Sequence, residues 1–134
     1  SQVKDNIQKF TNLIGPNVEI GTSITVNALN VLYLPELLSF IKSAGVSHYY
    51  FNMLSSPKGL SIRELTSAAK QATIEKLTSS KFASEFEFIV RLLKGQTDSD
   101  GKEFCEYIRK KDLIRNENLA NSHPELAELM GYVL

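Results

Sequence analysis

Cysteine and tryptophan are scarce in this sequence: its 134 residues include one cysteine, Cys105, and no tryptophan. A lone cysteine forms no intrachain disulfide, and it cannot supply the thiolates of an iron–sulfur cluster or a cysteine-rich metal site. Cys105 lies in a stretch of helical pattern, FCEYIRKKDLIR, where a small half-buried thiol is typical. We therefore predict that this chain holds no metal and no catalytic cysteine, and that it works in a reducing, cytoplasmic setting.

The chain also lacks an excess of charge of either sign and a long apolar run. Fifteen basic residues balance fifteen acidic ones, so no net field attracts a nucleic-acid backbone or an anionic membrane. The uninterrupted apolar stretches are short, and the first twenty positions are polar and helical in pattern, unlike a secretion signal. We expect neither nucleic acid nor a membrane as a partner, and we expect a single globular domain over 1–134.

Turn residues divide the first half of the chain into helix, strand, helix and strand. Apolar residues at helical spacing predict a helix from Val3 to Ile14, and alternating β-branched residues predict a strand from Val18 to Val26. A helix follows between Pro35 and Gly45, residue types that favour a helix start and stop, and a second strand runs from Val46 to Leu54. Such a βαβ unit, over 18–54, has parallel strands, so the predicted fold class is α/β.

The second half of the chain, 61–134, has the pattern of several helices. Ser61 and Glu64 have the spacing of an S-x-x-E capping box, which predicts a helix that begins there and continues toward Leu77. Amphipathic and charged stretches predict three more helices, from Phe82 to Gly95, from Lys102 to Arg115, and from near Pro124. The predicted architecture is therefore a βαβ unit followed by C-terminal helices.

One face of each predicted strand is polar or small. The positions concerned are Glu19, Gly21, Ser23, Thr25 and Asn27 in the first strand and His48, Tyr50 and Asn52 in the second. A parallel strand that is covered on both sides would be apolar on both faces. Two interpretations follow: these faces line a barrel-like cavity with Asn27 and Asn52 at its C-terminal mouth, or they form one side of an open sheet that faces water. The pattern favours neither.

Three segments that span most of the chain carry a family resemblance. They are TVNALNVLYLPELL from Thr25, YFNMLSSPKGLSIREL from Tyr50 and FCEYIRKKDLIRNENLANSHPEL from Phe104. Together they resemble the C-terminal part of radical S-adenosylmethionine proteins of the twitch-domain type. The resemblance implies the late part of a partial β/α barrel, whose last strands help to hold S-adenosylmethionine and face the substrate. It makes Thr25, Asn27, Asn52 and Leu54 the candidate cofactor-binding residues.

The family's cluster-binding Cys-x-x-x-Cys-x-x-Cys motif does not occur in this sequence. Cleavage of S-adenosylmethionine needs an electron from a cluster held by thiolates, so we expect the isolated chain to be catalytically inactive and to hold no iron–sulfur cluster. A small-molecule ligand, S-adenosylmethionine included, remains compatible with the strand ends, because carboxamides both donate and accept hydrogen bonds.

The alternative hypothesis is a noncatalytic binding or oligomerisation module. Two parallel strands make a small sheet with two open edges, and such edges tend to pair with another chain. We therefore expect a homo-oligomer that buries a sheet edge or the polar face.

Overall fold

The computed structural model describes residues 1–133, and its fold is mixed α/β. Two strands and seven α-helices follow one another in this part of the chain. They are α1 (Gln2–Thr11), β1 (Gly21–Val26), α2 (Leu34–Ser43), β2 (His48–Met53), α3 (Ser67–Ser79), α4 (Glu87–Gly95), α5 (Lys102–Arg115), α6 (Leu119–Ser122) and α7 (Pro124–Leu129).

The two strands form a parallel pair joined through α2, which confirms the predicted α/β class and βαβ unit. The register runs from Gly21 beside His48 to Val26 beside Met53. Pro35 lies in the first turn of α2, and Gly45 follows its C-terminus with a φ of +87°, a conformation that favours glycine. Both strands are shorter than predicted.

The first strand begins three residues later than the predicted Val18. Gly15 and Val18 instead pair with each other across a tight turn, with N–H···O distances of 3.1 and 3.3 Å. Because Pro16 lies inside this turn and fixes its own φ, the chain reverses there before it enters the sheet. The alternation that predicted a strand therefore extends beyond the residues that pair.

The predicted capping box is wrong, because α3 begins at Ser67 rather than next to Ser61. Thr66 caps α3, and its Oγ1 accepts a hydrogen bond from the Ala69 N–H at 3.2 Å. Ser61 instead caps a short 3-10 turn, Ile62–Glu64, with its Oγ accepting from the Arg63 N–H at 3.3 Å. The Ala28 N–H, directly after β1, donates to the Leu60 O at 2.7 Å and ties this stretch to the sheet.

The hydrophobic core lies on one face of the sheet. Ile24 and Val26 of β1 are buried, and the rings of Phe51 and Phe86 lie 5.9 Å apart between β2 and the start of α4. Helices α2 to α7 complete the core. Its largest fully buried side chains include Phe86, Phe104, Leu32, Leu34, Leu38 and Leu65.

Helix α5 packs tightly on the loop that follows β2. Gly59, in the 3-10 turn Lys58–Leu60, is buried beneath this helix. A Cβ atom on Gly59 would lie 2.7 Å from the Tyr107 Cβ and 2.8 Å from the Glu103 O. Only glycine fits without moving α5, since real Cβ atoms do not approach so closely.

Helix α1 has no buried residue, although its sequence is amphipathic. Only Ile7 packs partly against the core. Apolar side chains in and after this helix are exposed, namely Val3, Phe10, Leu13, Ile14 and Val18. None of the helices within residues 1–133 has the length and apolar character needed to cross a membrane.

Candidate functional site

The polar strand face predicted from the sequence is present and is exposed. Alternate residues of the two strands form three neighbouring pairs on it: Gly21 with His48, Ser23 with Tyr50, and Thr25 with Asn52. All six are exposed, Tyr50 to 62%. Within residues 1–133 the face is therefore that of an open sheet, the second of the two interpretations. No wall that would close a cavity over it is found among these residues.

Thr25 and Asn52 lie side by side at the C-terminal end of this face. They are partners in the parallel register, so their side chains project from neighbouring positions. The Asn52 Nδ2 donates to the Ser23 Oγ, which holds the carboxamide across the two strands. Both residues are exposed, so the Asn52 Oδ1 and the Thr25 hydroxyl could accept hydrogen bonds from a ligand.

Asn27 closes the end of β1 by bonding to the backbone. Its Oδ1 accepts from the N–H groups of Leu29 and Asn30 at 2.9 and 3.2 Å. In return the Asn30 Oδ1 accepts from the Asn27 N–H at 2.9 Å, and the Asn30 Nδ2 donates to the Thr25 O at 2.8 Å. This is an Asx turn, a frequent use of asparagine after a strand. A ligand contact from Asn27 would therefore come through its Nδ2.

Leu54 lies beyond the end of β2 and borders a separate cleft. Its N–H donates to the Val26 O at 2.9 Å, which continues the pairing of the strands by one residue. Its half-buried side chain lines an open cleft of about 840 Å³ between the loop after β2 and the end of α4. The structure thus brings Thr25 and Asn52 together on one surface, and it places Asn27 in a turn and Leu54 in the cleft.

Sequence reasoning named the polar face but did not select three residues that lie on it or contact its candidate residues. Ser23 holds the Asn52 carboxamide, Tyr50 is the most exposed aromatic side chain on the strands, and Asn30 completes the turn with Asn27. The strand period of two already placed Ser23 and Tyr50 on the same face as Thr25 and Asn52. That signal could have identified them as candidates.

Cys105 lies in α5, as its helical pattern predicted, and it is buried rather than half-buried. Its Sγ–H donates to the Met130 O at 3.6 Å, and burial raises the pKa of the thiol above its ordinary value. The thiol is therefore protonated at neutral pH and packs as a small apolar group. Across residues 1–133, three or more His, Cys, Asp and Glu side chains do not come together in a group that could hold a metal.

Asp112 organises the C-terminal end of the chain. Its Oδ2 accepts from the Leu119 N–H at 2.9 Å and from the Tyr132 hydroxyl at 2.7 Å. Asn116, with a φ of +53°, ends α5 between them. Burial and the hydrogen bond to Asp112 raise the pKa of Tyr132 to about 12. These contacts give Asp112 a role in packing the terminal helices against α5.

No protein-family model, curated protein or solved structure matches this chain. The family resemblance accordingly rests on the three segments of the chain's own sequence. What the chain does is therefore inferred from those segments and from the geometry of the polar face.

Proposed function

We propose that this chain is the C-terminal part of a radical S-adenosylmethionine enzyme, in which β1 and β2 are late strands of a partial barrel. The observation that carries this proposal is the exposed polar face on a parallel strand pair. Parallel strands are almost always covered on both faces. Side chains such as Ser23, Thr25 and Asn52 suit the inner wall of a ligand cavity that other strands complete.

Exposed apolar residues in and directly after α1 give independent support. Phe10, Leu13 and Ile14 lie just before β1 in the chain and are exposed to solvent. Apolar residues in such a group usually belong to an interface. Strands and helices from the preceding part of a longer polypeptide would cover α1, pair with the free edge of the sheet and close the polar face.

In the proposed site, each candidate residue has a role that its chemistry allows. The Thr25 hydroxyl and the Asn52 carboxamide hydrogen-bond to the cofactor or the substrate. An adenine that extends past the end of β2 packs on Leu54 at the border of the separate cleft. Asn27 orients the strand end through its turn and offers its Nδ2. The cluster that cleaves S-adenosylmethionine is held by thiolates elsewhere in the enzyme, so this chain binds and orients ligands and is inactive by itself.

The proposal is tested with the longer polypeptide that joins this chain to a preceding Cys-x-x-x-Cys-x-x-Cys segment. After anaerobic reconstitution of the cluster, we expect reductive formation of 5′-deoxyadenosine from S-adenosylmethionine. Asn52→Ala should lower the rate about tenfold, the effect of losing one good hydrogen bond in a closed site. Asn121→Ala, an exposed asparagine in α6, is the matched control and should leave the rate unchanged. A reading frame without the three cysteines would refute the proposal.

A noncatalytic oligomerisation module is the second candidate. The observation that favours it is the same exposed apolar group on α1 beside a sheet of only two strands. A second copy could cover α1 and pair with a sheet edge. Light scattering at micromolar concentration should then show a dimer or a larger assembly.

Substitutions on two exposed helix faces would locate the contact between copies. Phe10→Glu should produce monomers, because it places a charge in the proposed interface. Leu113→Glu, at a position in α5 that is 85% exposed, should leave the assembly intact. A monodisperse wild-type monomer would exclude this second candidate and would leave the first untouched.

A further inference from the structure

The cleft beside Leu54 has a lining of charged side chains that the proposed function does not use. It lies between the end of β2, the 3-10 turn Ile62–Glu64 and the last turn of α4, and we call it the α4 cleft. Its volume, about 840 Å³, is large enough for a metabolite-sized molecule. Its rim is held by hydrogen bonds, since the Gln96 Nε2 donates to the Ile62 O at 2.7 Å and the Lys70 Nζ donates to the Gln96 O at 3.1 Å.

Two arginines line the α4 cleft with their guanidinium groups available. Arg63 comes from the 3-10 turn and Arg91 from α4, and both are exposed. Within the described residues, the salt bridges of the chain involve neither of them. The third cation of the lining, Lys58, is 3.5 Å from the Glu103 carboxylate. Guanidinium forks match the geometry of carboxylate and phosphate oxygens, so this side of the cleft suits an anionic group.

One carboxylate, that of Glu64, lines the same cleft and is nearly buried. Glu64 is only 9% exposed, and its partner among residues 1–133 is the Ser99 hydroxyl, which donates to Oε2 at 3.3 Å. Carboxylates at this degree of burial normally accept several hydrogen bonds or pair with a cation. Glu64 lines the cleft, and its Oε1 has no hydrogen-bond partner among residues 1–133, so it can accept a hydrogen bond from a donor group of a ligand. The cleft combines this acceptor with two unpaired cations.

We propose that the α4 cleft binds a small molecule with two polar ends. Its carboxylate or phosphate group contacts Arg63 and Arg91, and its amine group donates to Glu64. A ligand with only the anionic group would pair with the arginines and leave the nearly buried Glu64 carboxylate without a donor, which carries a penalty. The amine removes that penalty, so Glu64 selects for molecules that carry both groups. This proposal does not depend on the radical enzyme or on the oligomer.

Four small probes test the two halves of the proposal on the complete chain by NMR. O-phosphoethanolamine and β-alanine carry both an anionic and an amine group, whereas methyl phosphate and propionate carry only the anionic group. We expect saturable shifts of the side-chain Nε–Hε signals of Arg63 and Arg91 with the first two. The signals of Arg109 and Arg115, the other arginines of the chain, serve as internal controls. Tighter binding of phosphoethanolamine would identify phosphate, and tighter binding of β-alanine would identify carboxylate, as the preferred anion.

Variants assign the contacts. Arg91→Gln should lower the affinity for the tighter-binding probe about tenfold, as expected for the loss of one charge-assisted hydrogen bond. Arg115→Gln should leave this affinity unchanged. Glu64→Gln keeps the shape of the side chain and should remove the preference for probes that carry an amine. Parallel shifts of all four arginines without saturation would overturn the site. An amine preference that persists in Glu64→Gln would overturn the role of Glu64. The amide spectrum of each variant verifies that it is folded.

Discussion

Helices α1 and α4 have similar lengths and both have an apolar face, yet they have different surroundings. Helix α4 buries Ile89, Val90 and Leu93 in the core, whereas α1 buries nothing. An amphipathic pattern indicates that one face of a helix is stable only when it is covered, because leaving apolar surface in water costs about 25 cal/mol of free energy per Å². The pattern does not indicate which polypeptide segment provides that cover. Residues 1–133 therefore bury the apolar face of α4 but not that of α1.

The largest expected effect contrasts a phenylalanine of the core with one on α1. Phe104 is 0% exposed and Phe10 is 60% exposed. Phe104→Ala should lower the free energy of unfolding by about 3–5 kcal/mol, because it leaves a cavity in a packed core. Phe10→Ala should change it by less than about 0.5 kcal/mol. Chemical denaturation of both variants measures the difference.

A large loss of stability in Phe10→Ala would contradict the expectation that Phe10 is exposed and Phe104 is buried in solution. It would mean that α1 is covered in solution. The dependence of this loss of stability on protein concentration would then show whether a second copy provides the cover. A loss that shrinks on dilution identifies the oligomer, because dilution removes the stabilisation that the wild type gains from a second copy. A loss that is independent of concentration identifies a contact within the chain.

The next effect tests the tight contact between α5 and the loop after β2. Gly59→Ala should destabilise the protein by roughly 1–3 kcal/mol, because the new Cβ overlaps the Tyr107 Cβ and the Glu103 O. Gly95→Ala, at the end of α4, is the control. No atom lies within 4 Å of its new Cβ, so this change should be neutral or stabilise by about 0.5 kcal/mol. Equal melting temperatures for the two variants would show that α5 adapts.

A smaller effect depends on pH and on the C-terminal end of the chain. The pKa of Tyr132 is raised to about 12 in the folded protein, above the value of 10.0 expected in the unfolded chain. The folded state therefore binds more protons between these values, and stability falls as the pH rises from 10 to 12. The contribution of Tyr132 to the slope is at most about 1.4 kcal/mol per pH unit.

Two phenylalanine variants separate this contribution from the titration of other groups. Tyr132→Phe should have a flatter dependence of unfolding free energy on pH above 10, since the ionisable hydroxyl is gone. Tyr50→Phe, on the open strand face, should keep the wild-type dependence. Equal slopes in all three proteins would show that Tyr132 is as accessible as an ordinary surface tyrosine.

The smallest effect compares two helix caps. The Thr66 Oγ1 accepts from the Ala69 N–H and donates to the Leu129 O at 2.6 Å, and so connects α3 to α7. Thr66→Ala should cost about 1 kcal/mol. Ser1 caps α1 with a longer contact, 3.4 Å to the Lys4 N–H, on a helix that is not packed into the core. Ser1→Ala should therefore leave thermal unfolding unchanged, and a matching loss would show that α1 is part of the cooperative fold.

Local patterns in the sequence predicted much of this fold. Helix α5 extends from Lys102 to Arg115 as predicted, because its charged and apolar residues follow one helical period without interruption. The polar face was also predicted, since strand residues alternate between faces and a shift of the ends by a few residues does not alter which side chains share a face. The alternation placed Asn52 and Thr25 on that face, whereas their choice as cofactor-binding candidates came from the family resemblance and stays a prediction.

Contacts between distant residues explain what could not be predicted. Ser61 and Glu64 have a valid helix-start spacing, but the bond from the Ala28 N–H to the Leu60 O and the packing of Gly59 beneath α5 hold this stretch in 3-10 turns. No local pattern contains those contacts. In the same way, the spacing in α1 predicted a helix but could not reveal that its apolar face has no cover in residues 1–133.

The close fit of Gly59 beneath α5 has a consequence for the motion of the loop that lines the α4 cleft. Because the turn Lys58–Leu60 is buried beneath α5 and contacts Glu103 and Tyr107 without a gap, we expect the loop and α5 to open together. The amides of this loop and of the first turns of α5 should therefore exchange with deuterium as one cooperative unit, at a common rate. A ligand held in the α4 cleft would slow exchange in α5, a helix that does not line the cleft.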